Sequence, residues 1–197
     1  MSSVILDPDQ VAHCEAAGWR AYYDRQWLNV LKLMVTLAQK QFHIPFPVSL
    51  VAAYYVTRAS ILYAPVEHDT ARVLAYLRSF YRLARRYSGL HFDPTHVARI
   101  ELQYFEVHRR LAEEPDKQEL VGVFVDLHSA TFGISPQAAH ESAVARTEAV
   151  TIVDSITHHK STDIDGDWVR IEAALRRCYE SIKQRLAEVD ASASREG

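Results

Sequence analysis

RIELQYFEVHRRL, residues 99–111, carries Ile100, Tyr104, Val107 and Leu111 at intervals of three and four, the spacing of one face of a helix. At about 100° per residue, Val97 joins that face, Phe105, Ala98 and Leu102 form a second apolar group, and Arg99, Gln103, Glu106 and Arg110 take the opposite side. Glu101 and His108 fall between the two apolar groups, at roughly 100° and 80° from Ile100. An acid and an imidazole are therefore directed at the core.

The same period runs outward in both directions, and helix-start signals punctuate it. Asp7-Pro8, Asp93-Pro94 and Ser135-Pro136 each place a capping side chain before a proline at the first helical position. Asp116 with Glu119 has the spacing of a capping box, and Gly89 and Gly133 stand where helices stop. The pattern predicts helices over 8–42, 47–63, 69–88, 94–114, 117–132, 136–159 and 167–189. Their short connections favour antiparallel neighbours. The expectation is an all-α fold: a compact bundle of about seven helices in one domain, 1–190, followed by a disordered tail, 191–197. Trp27–Ala38 is interrupted only by Asn29, Lys32 and Thr36, and 47–63 is apolar almost all round, so the first and second helices are expected at the centre. The last helix has a single stripe of Trp168, Ile171, Leu175, Cys178, Ile182 and Leu186, suited to an outer position.

Composition narrows the classes of function. The chain of 197 residues is 48% hydrophobic with a formal charge of −3, which gives no global pull toward nucleic acid or an anionic membrane. Cys14 and Cys178 have no CxxC or zinc-like spacing, which fits a reducing cytoplasm. MSSVILDPDQ lacks the basic start and apolar run of a signal peptide, and the apolar stretch 48–66 carries Arg58 at its middle, which is costly in lipid. A cytoplasmic protein without a membrane partner is expected.

Wheels drawn for the other helices send Arg58, His128, Arg146 and Asp154 inward with Glu101 and His108. Buried charge must be paired, because an isolated ion costs several kcal/mol. One reading satisfies the six internally, with Arg58 on Glu101 and Arg146 on Asp154. The other makes them a polar pocket, as helical bundles build their ligand sites. In that pocket Arg58 and Arg146 anchor a small anionic or aromatic ligand, with His128 and Asp154 orienting it. Glu101 and His108 form the acid/base couple if there is chemistry, or the set holds iron, manganese or zinc. Trp19, Tyr22, Tyr23, Trp27, Tyr54, Tyr55 and Tyr63 could wall such a pocket or be ordinary core.

Other motifs are absent or out of register. No Glu-x-x-His occurs, so a ferritin-like di-metal oxidase would need an atypical ligand set. Counting from Asp163, Gly166 stands at position four, which excludes an EF-hand and leaves Asp167 as a helix cap. There is no phosphate-binding loop, dinucleotide fingerprint or nucleophile elbow. Arg72, Arg78, Arg82, Arg85 and Arg86 interleave with Tyr76, Phe80, Tyr81 and Tyr87. This run reads first as a solvated face and next as a contact to an acidic surface on a partner subunit, with nucleic acid the less expected partner. The leading expectation is a ligand- or metal-binding helical protein, with a non-catalytic, homo-oligomerising assembly protein as its alternative.

Overall fold

Local capping chemistry starts four of the eight helices where the sequence places them. In the computed structural model, which describes residues 6–193, the elements are α1 Pro8–Tyr23, α2 Trp27–Phe42, α3 Val48–Tyr63, α4 Thr70–Ser88, α5 Pro94–Leu111, α6 Gln118–Phe132, α7 Pro136–Thr157 and α8 Ile164–Ala193. No strand occurs among the described residues. The carboxylates of Asp7, Asp69 and Asp93 and the hydroxyl of Ser135 accept first-turn amides from Gln10, Arg72, Thr95 and Ala138 at 2.9–3.2 Å. Gly89 and Gly133 end α4 and α6 at φ +74° and +69°, a conformation that glycine adopts without steric cost. The tail expected to be disordered falls, beyond residue 193, outside the described residues.

Three local expectations are corrected. The helix expected over 8–42 is two helices, so the bundle has eight. At Asp24–Gln26 the chain turns back through a left-handed Arg25 (φ +58°), with Arg25 N–H donating to Tyr22 O and Gln26 N–H to Ala21 O. This is the 5→2 and 6→1 pair of a Schellman turn, made without glycine. Asp116 accepts from Gln118 N–H, but Glu119 binds Arg110 instead of closing a capping box. The first turn of α8 is held by Asp163, which accepts from Gly166 N–H at 3.0 Å, while Asp167 binds Ser161 and Arg170.

Each helix packs on the next in sequence, and α8 closes onto α1, so the eight antiparallel helices form a ring. The alternation puts the loops 24–26, 64–69, 112–117 and 158–163 at one end of the molecule and 43–47, 89–93 and 133–135 at the other. The core runs around this ring, with fully buried Val11, Leu77, Phe124, Val150, Ile171 and Leu175. Consequently no helix is central, contrary to the expectation for the first two. The apolar α2 and α3 are members of the ring, and α3 packs chiefly on α2 and α4 while exposing Leu50, Val51 and Tyr54. Among the described residues no helix is long and apolar enough to cross a membrane.

Candidate functional site

A ring of eight helices leaves a space in its middle that side chains of ordinary size do not fill. That space is a cavity of about 550 Å³, and every helix contributes to its wall. At Gly18, where α1 meets α2, an added Cβ would lie 2.5 Å from Cε at the flexible end of Met34 and 4.0 Å from Leu33 Cβ. The wall is largely aromatic and aliphatic, with Trp19, Tyr22, Met34, Tyr104, Leu127 and Val153 among its residues. The exposed members of the lining are Tyr23, Ala64 and Arg109, all at the end formed by the 24–26 and 64–69 loops, which marks the mouth. Arg109 is fixed in place by the last carbonyls of α3, donating to Ala64 O and Pro65 O at 3.2 Å and to Tyr63 O, with its guanidinium 4.0 Å above the Tyr63 ring.

Polar groups occupy the cavity at two levels. Near the mouth, buried Asp154 of α7 receives His108 Nε2 on Oδ1 at 2.7 Å and Lys117 Nζ on Oδ2 at 3.0 Å. Lys117 also donates to Leu111 O and Ala112 O, so one ammonium satisfies the C-terminus of α5 and neutralises the acid. The Tyr104 ring stacks on the His108 imidazole at 5.7 Å and 5°.

The deeper level centres on Arg146. Its guanidinium forks onto the Glu15 carboxylate and donates to Tyr179 Oη at 3.1 Å, and the Tyr179 hydroxyl donates to Glu15. Burial is the largest single influence and opposes the Arg146 charge, but Glu15 together with Tyr179, Cys178 and Tyr104 outweighs it, and the guanidinium's pKa lies well above its ordinary value. Glu101 accepts the Tyr81 hydroxyl at 3.1 Å. Burial raises the Glu101 pKa, against the lowering effects of Arg146 and the Tyr81 hydrogen bond. Along α5 the step from His108 to Glu101, and along α7 that from Asp154 to Arg146, set the two levels roughly 10–12 Å apart.

His128 completes the deep level. With the Ser142 hydroxyl proton assigned to Ala139 O, 2.8 Å away, Ser142 Oγ accepts from His128 Nδ1, also at 2.8 Å. The imidazole proton is thus on Nδ1, and Nε2 is a free lone pair, without a partner among the described residues. Burial, reinforced by the Arg146 charge, pushes the His128 pKa down to about 3, so the ring is neutral at any physiological pH. Thr57 and Thr131 also line the cavity with hydroxyls that have no partner among the described residues.

Of the six residues the sequence directs inward, the structure brings Glu101, His108, His128, Arg146 and Asp154 to this cavity. Arg58 is outside it, on the outer side of α3 against Tyr76. Neither expected ion pair forms. Arg146 takes Glu15 instead of Asp154, Asp154 takes His108 and Lys117, and Glu101 takes Tyr81. The expected Glu101–His108 couple is likewise replaced by His108–Asp154. Glu15, Lys117 and Tyr179 went unnoticed in the sequence, although Val11, Glu15, Trp19 and Tyr22 share one stripe of α1 that would have revealed the first. Among the described residues no three His, Cys, Asp or Glu side chains come together as a metal-ligand set. Cys14 and Cys178 are free and buried, and burial pushes the Cys178 thiol up to about 12.

Comparison with family models, with curated proteins and with solved structures finds no match to this chain.

Proposed function

We propose that this protein binds a small, electrically neutral organic molecule with an aromatic or apolar body, held in the central cavity with its polar end at the deep level. The observation that carries the reading is the chemistry of the cavity floor. At the floor Arg146 is neutralised by Glu15, and higher up Asp154 is neutralised by Lys117; the lining cation without a carboxylate, Arg109, is tied to the α3 carbonyls at the mouth, so an anion would find no spare cation at the deep level. What remains open, beside the Thr57 and Thr131 hydroxyls, is a pair of groups without a counter-ion: the Glu101 carboxyl, whose pKa burial raises, and the accepting His128 Nε2. Such a pair suits a ligand end that accepts and donates at once, such as an amide, oxime, phenol or lactam-like heterocycle. The aromatic walls suit the body, and the His108–Asp154 pair meets a second polar group about 10 Å away. The expectation of an anion anchored by Arg58 and Arg146 gives way to this reading, as does that of an iron, manganese or zinc site.

Native mass spectrometry of the freshly purified protein, followed by titration with the neutral fluorophore N-phenyl-1-naphthylamine, tests it. Ser60 lines the cavity and spends its hydroxyl on Val56 O of its own helix, so Ser60→Phe fills the space at little polar cost. One fluorophore is expected per wild-type chain and none in Ser60→Phe. Equal uptake by both proteins, or none by the wild type together with bare native mass, would sink the proposal.

A further inference from the structure

A helix that is apolar around its whole circumference belongs under cover. Yet α3 leaves Phe46 at its leading turn 68% exposed, and Leu50, Val51 and Tyr54 41–48% exposed, along one outer side. The charge of the surrounding segment is also unlike the rest of the chain. Residues 25–92 contain nine Lys and Arg against two acids, a formal +7, while the whole chain is −3 and the remainder therefore −10. The near-neutral total that argued against an anionic surface conceals this division. None of those nine cations makes an ion pair among the described residues, whereas cations of the other helices are mostly paired, as Arg20, Arg110, Lys117, Arg146, Arg177 and Arg185 are. Beside the apolar side of α3, Tyr54 and Tyr55 meet Tyr76 of α4 at ring distances of 6.1 Å, and Arg58 and Arg72 bracket Tyr76. The exposed Arg82, Arg85 and Arg86 continue the basic run along α4.

We infer that the outer face of α3 and α4 docks on an anionic lipid surface. The phosphates and carboxylates of the headgroups pair with the unpaired arginines. The tyrosines sit at headgroup depth, and Phe46, Leu50 and Val51 enter the outer acyl region. The apolar residues distinguish this occupant from nucleic acid, which has no use for aliphatic side chains between its phosphate contacts. The lack of any exposed Asp, Glu, Asn or Gln on α3 distinguishes it from a protein partner, whose interface carries polar groups of both kinds at its rim. Docking is peripheral and depends on two contributions, charge and apolar insertion, neither sufficient alone.

Co-sedimentation of the full chain with vesicles of phosphatidylcholine, with and without phosphatidylserine, tests the inference. The wild type is expected on the phosphatidylserine vesicles only, and to leave them as salt rises. Arg72→Gln/Arg82→Gln should weaken binding roughly 25-fold, about five-fold per arginine. Leu50→Ser/Val51→Ser should abolish it while circular dichroism stays that of the folded helical protein. Absence from both vesicle types overturns the inference. So does binding that the folded variants retain in full, or binding of the same face to single-stranded RNA or to a second copy of the chain in place of phosphatidylserine.

Discussion

Arg146 shows how one side chain commits several others. Its guanidinium is largely enclosed by Glu15, Tyr179 and the faces of Trp19 and Phe124, 5.8 and 5.3 Å away, so removing its counter-ion leaves a mostly buried charge without its ion-pair partner. Glu15→Gln should therefore cost about 3–5 kcal/mol, while Glu15→Gln/Arg146→Met should recover most of that loss. A double-mutant cycle in urea measures both, and additive losses would mean that the two side chains are not a unit. His128 sets the acid limit of the same cluster. Its pKa is about 3 in the folded protein against 6.5 for an ordinary histidine, so below pH 6.5 the unfolded chain takes up a proton that the folded one refuses. Stability should fall as pH drops from 6.5 toward 3, with His128 contributing up to about 1.4 kcal/mol per pH unit, and His128→Asn should flatten that limb of the curve. Glu101 acts with the opposite sign. Its pKa is raised, so its ionisation lowers stability as pH climbs through the folded value, and Glu101→Gln should be more stable than wild type at pH 7 and level with it in acid.

At the scale of the helix, what was legible in the sequence was what is decided locally. Asp7-Pro8, Asp93-Pro94 and Ser135-Pro136 start helices because cap and proline act within a few residues of themselves. The break between α1 and α2 was hidden because its left-handed residue is Arg25, a type that rarely signals a stop. The same device recurs after α7, where His159 takes φ +57° and Lys160 N–H reaches Ser155 O. Arg25→Gly relieves the left-handed backbone at some cost in unfolded-chain entropy. It should match or exceed wild-type stability by up to about 1 kcal/mol, while Arg25→Val should lose about that much; thermal unfolding of the pair distinguishes a turn set by backbone from one set by the arginine side chain. Wheels could tell which way Glu101, His108 and Asp154 point, because direction belongs to a single helix. They could not say that Asp154 meets Lys117 or that Arg146 meets Glu15, 131 positions away, because partners depend on which helices face each other across the ring. Arg58 failed for the same reason: α3 is apolar on both sides, and only the ring decides which side is inside.

For the whole molecule, the closed ring is both the source of the cavity and the reason its contents should govern stability. Every helix has a wall in the cavity, so the space that would hold a ligand exists only while the ring is closed. Ligand binding should therefore stabilise the protein as a unit: with a bound neutral aromatic at 100 times its Kd, the gain is about 2.7 kcal/mol. Ser60→Phe supplies part of that filling covalently. It should melt higher than wild type without ligand, by the order of 1 kcal/mol for the apolar surface it removes from the cavity, and show little further shift when ligand is added. A ligand-induced shift equal in Ser60→Phe and wild type would place the binding site outside the ring. A Ser60→Phe protein that melts lower would mean instead that the wall around α3 cannot yield to the larger ring, and that the space is held open by packing too rigid to accept a ligand of that size.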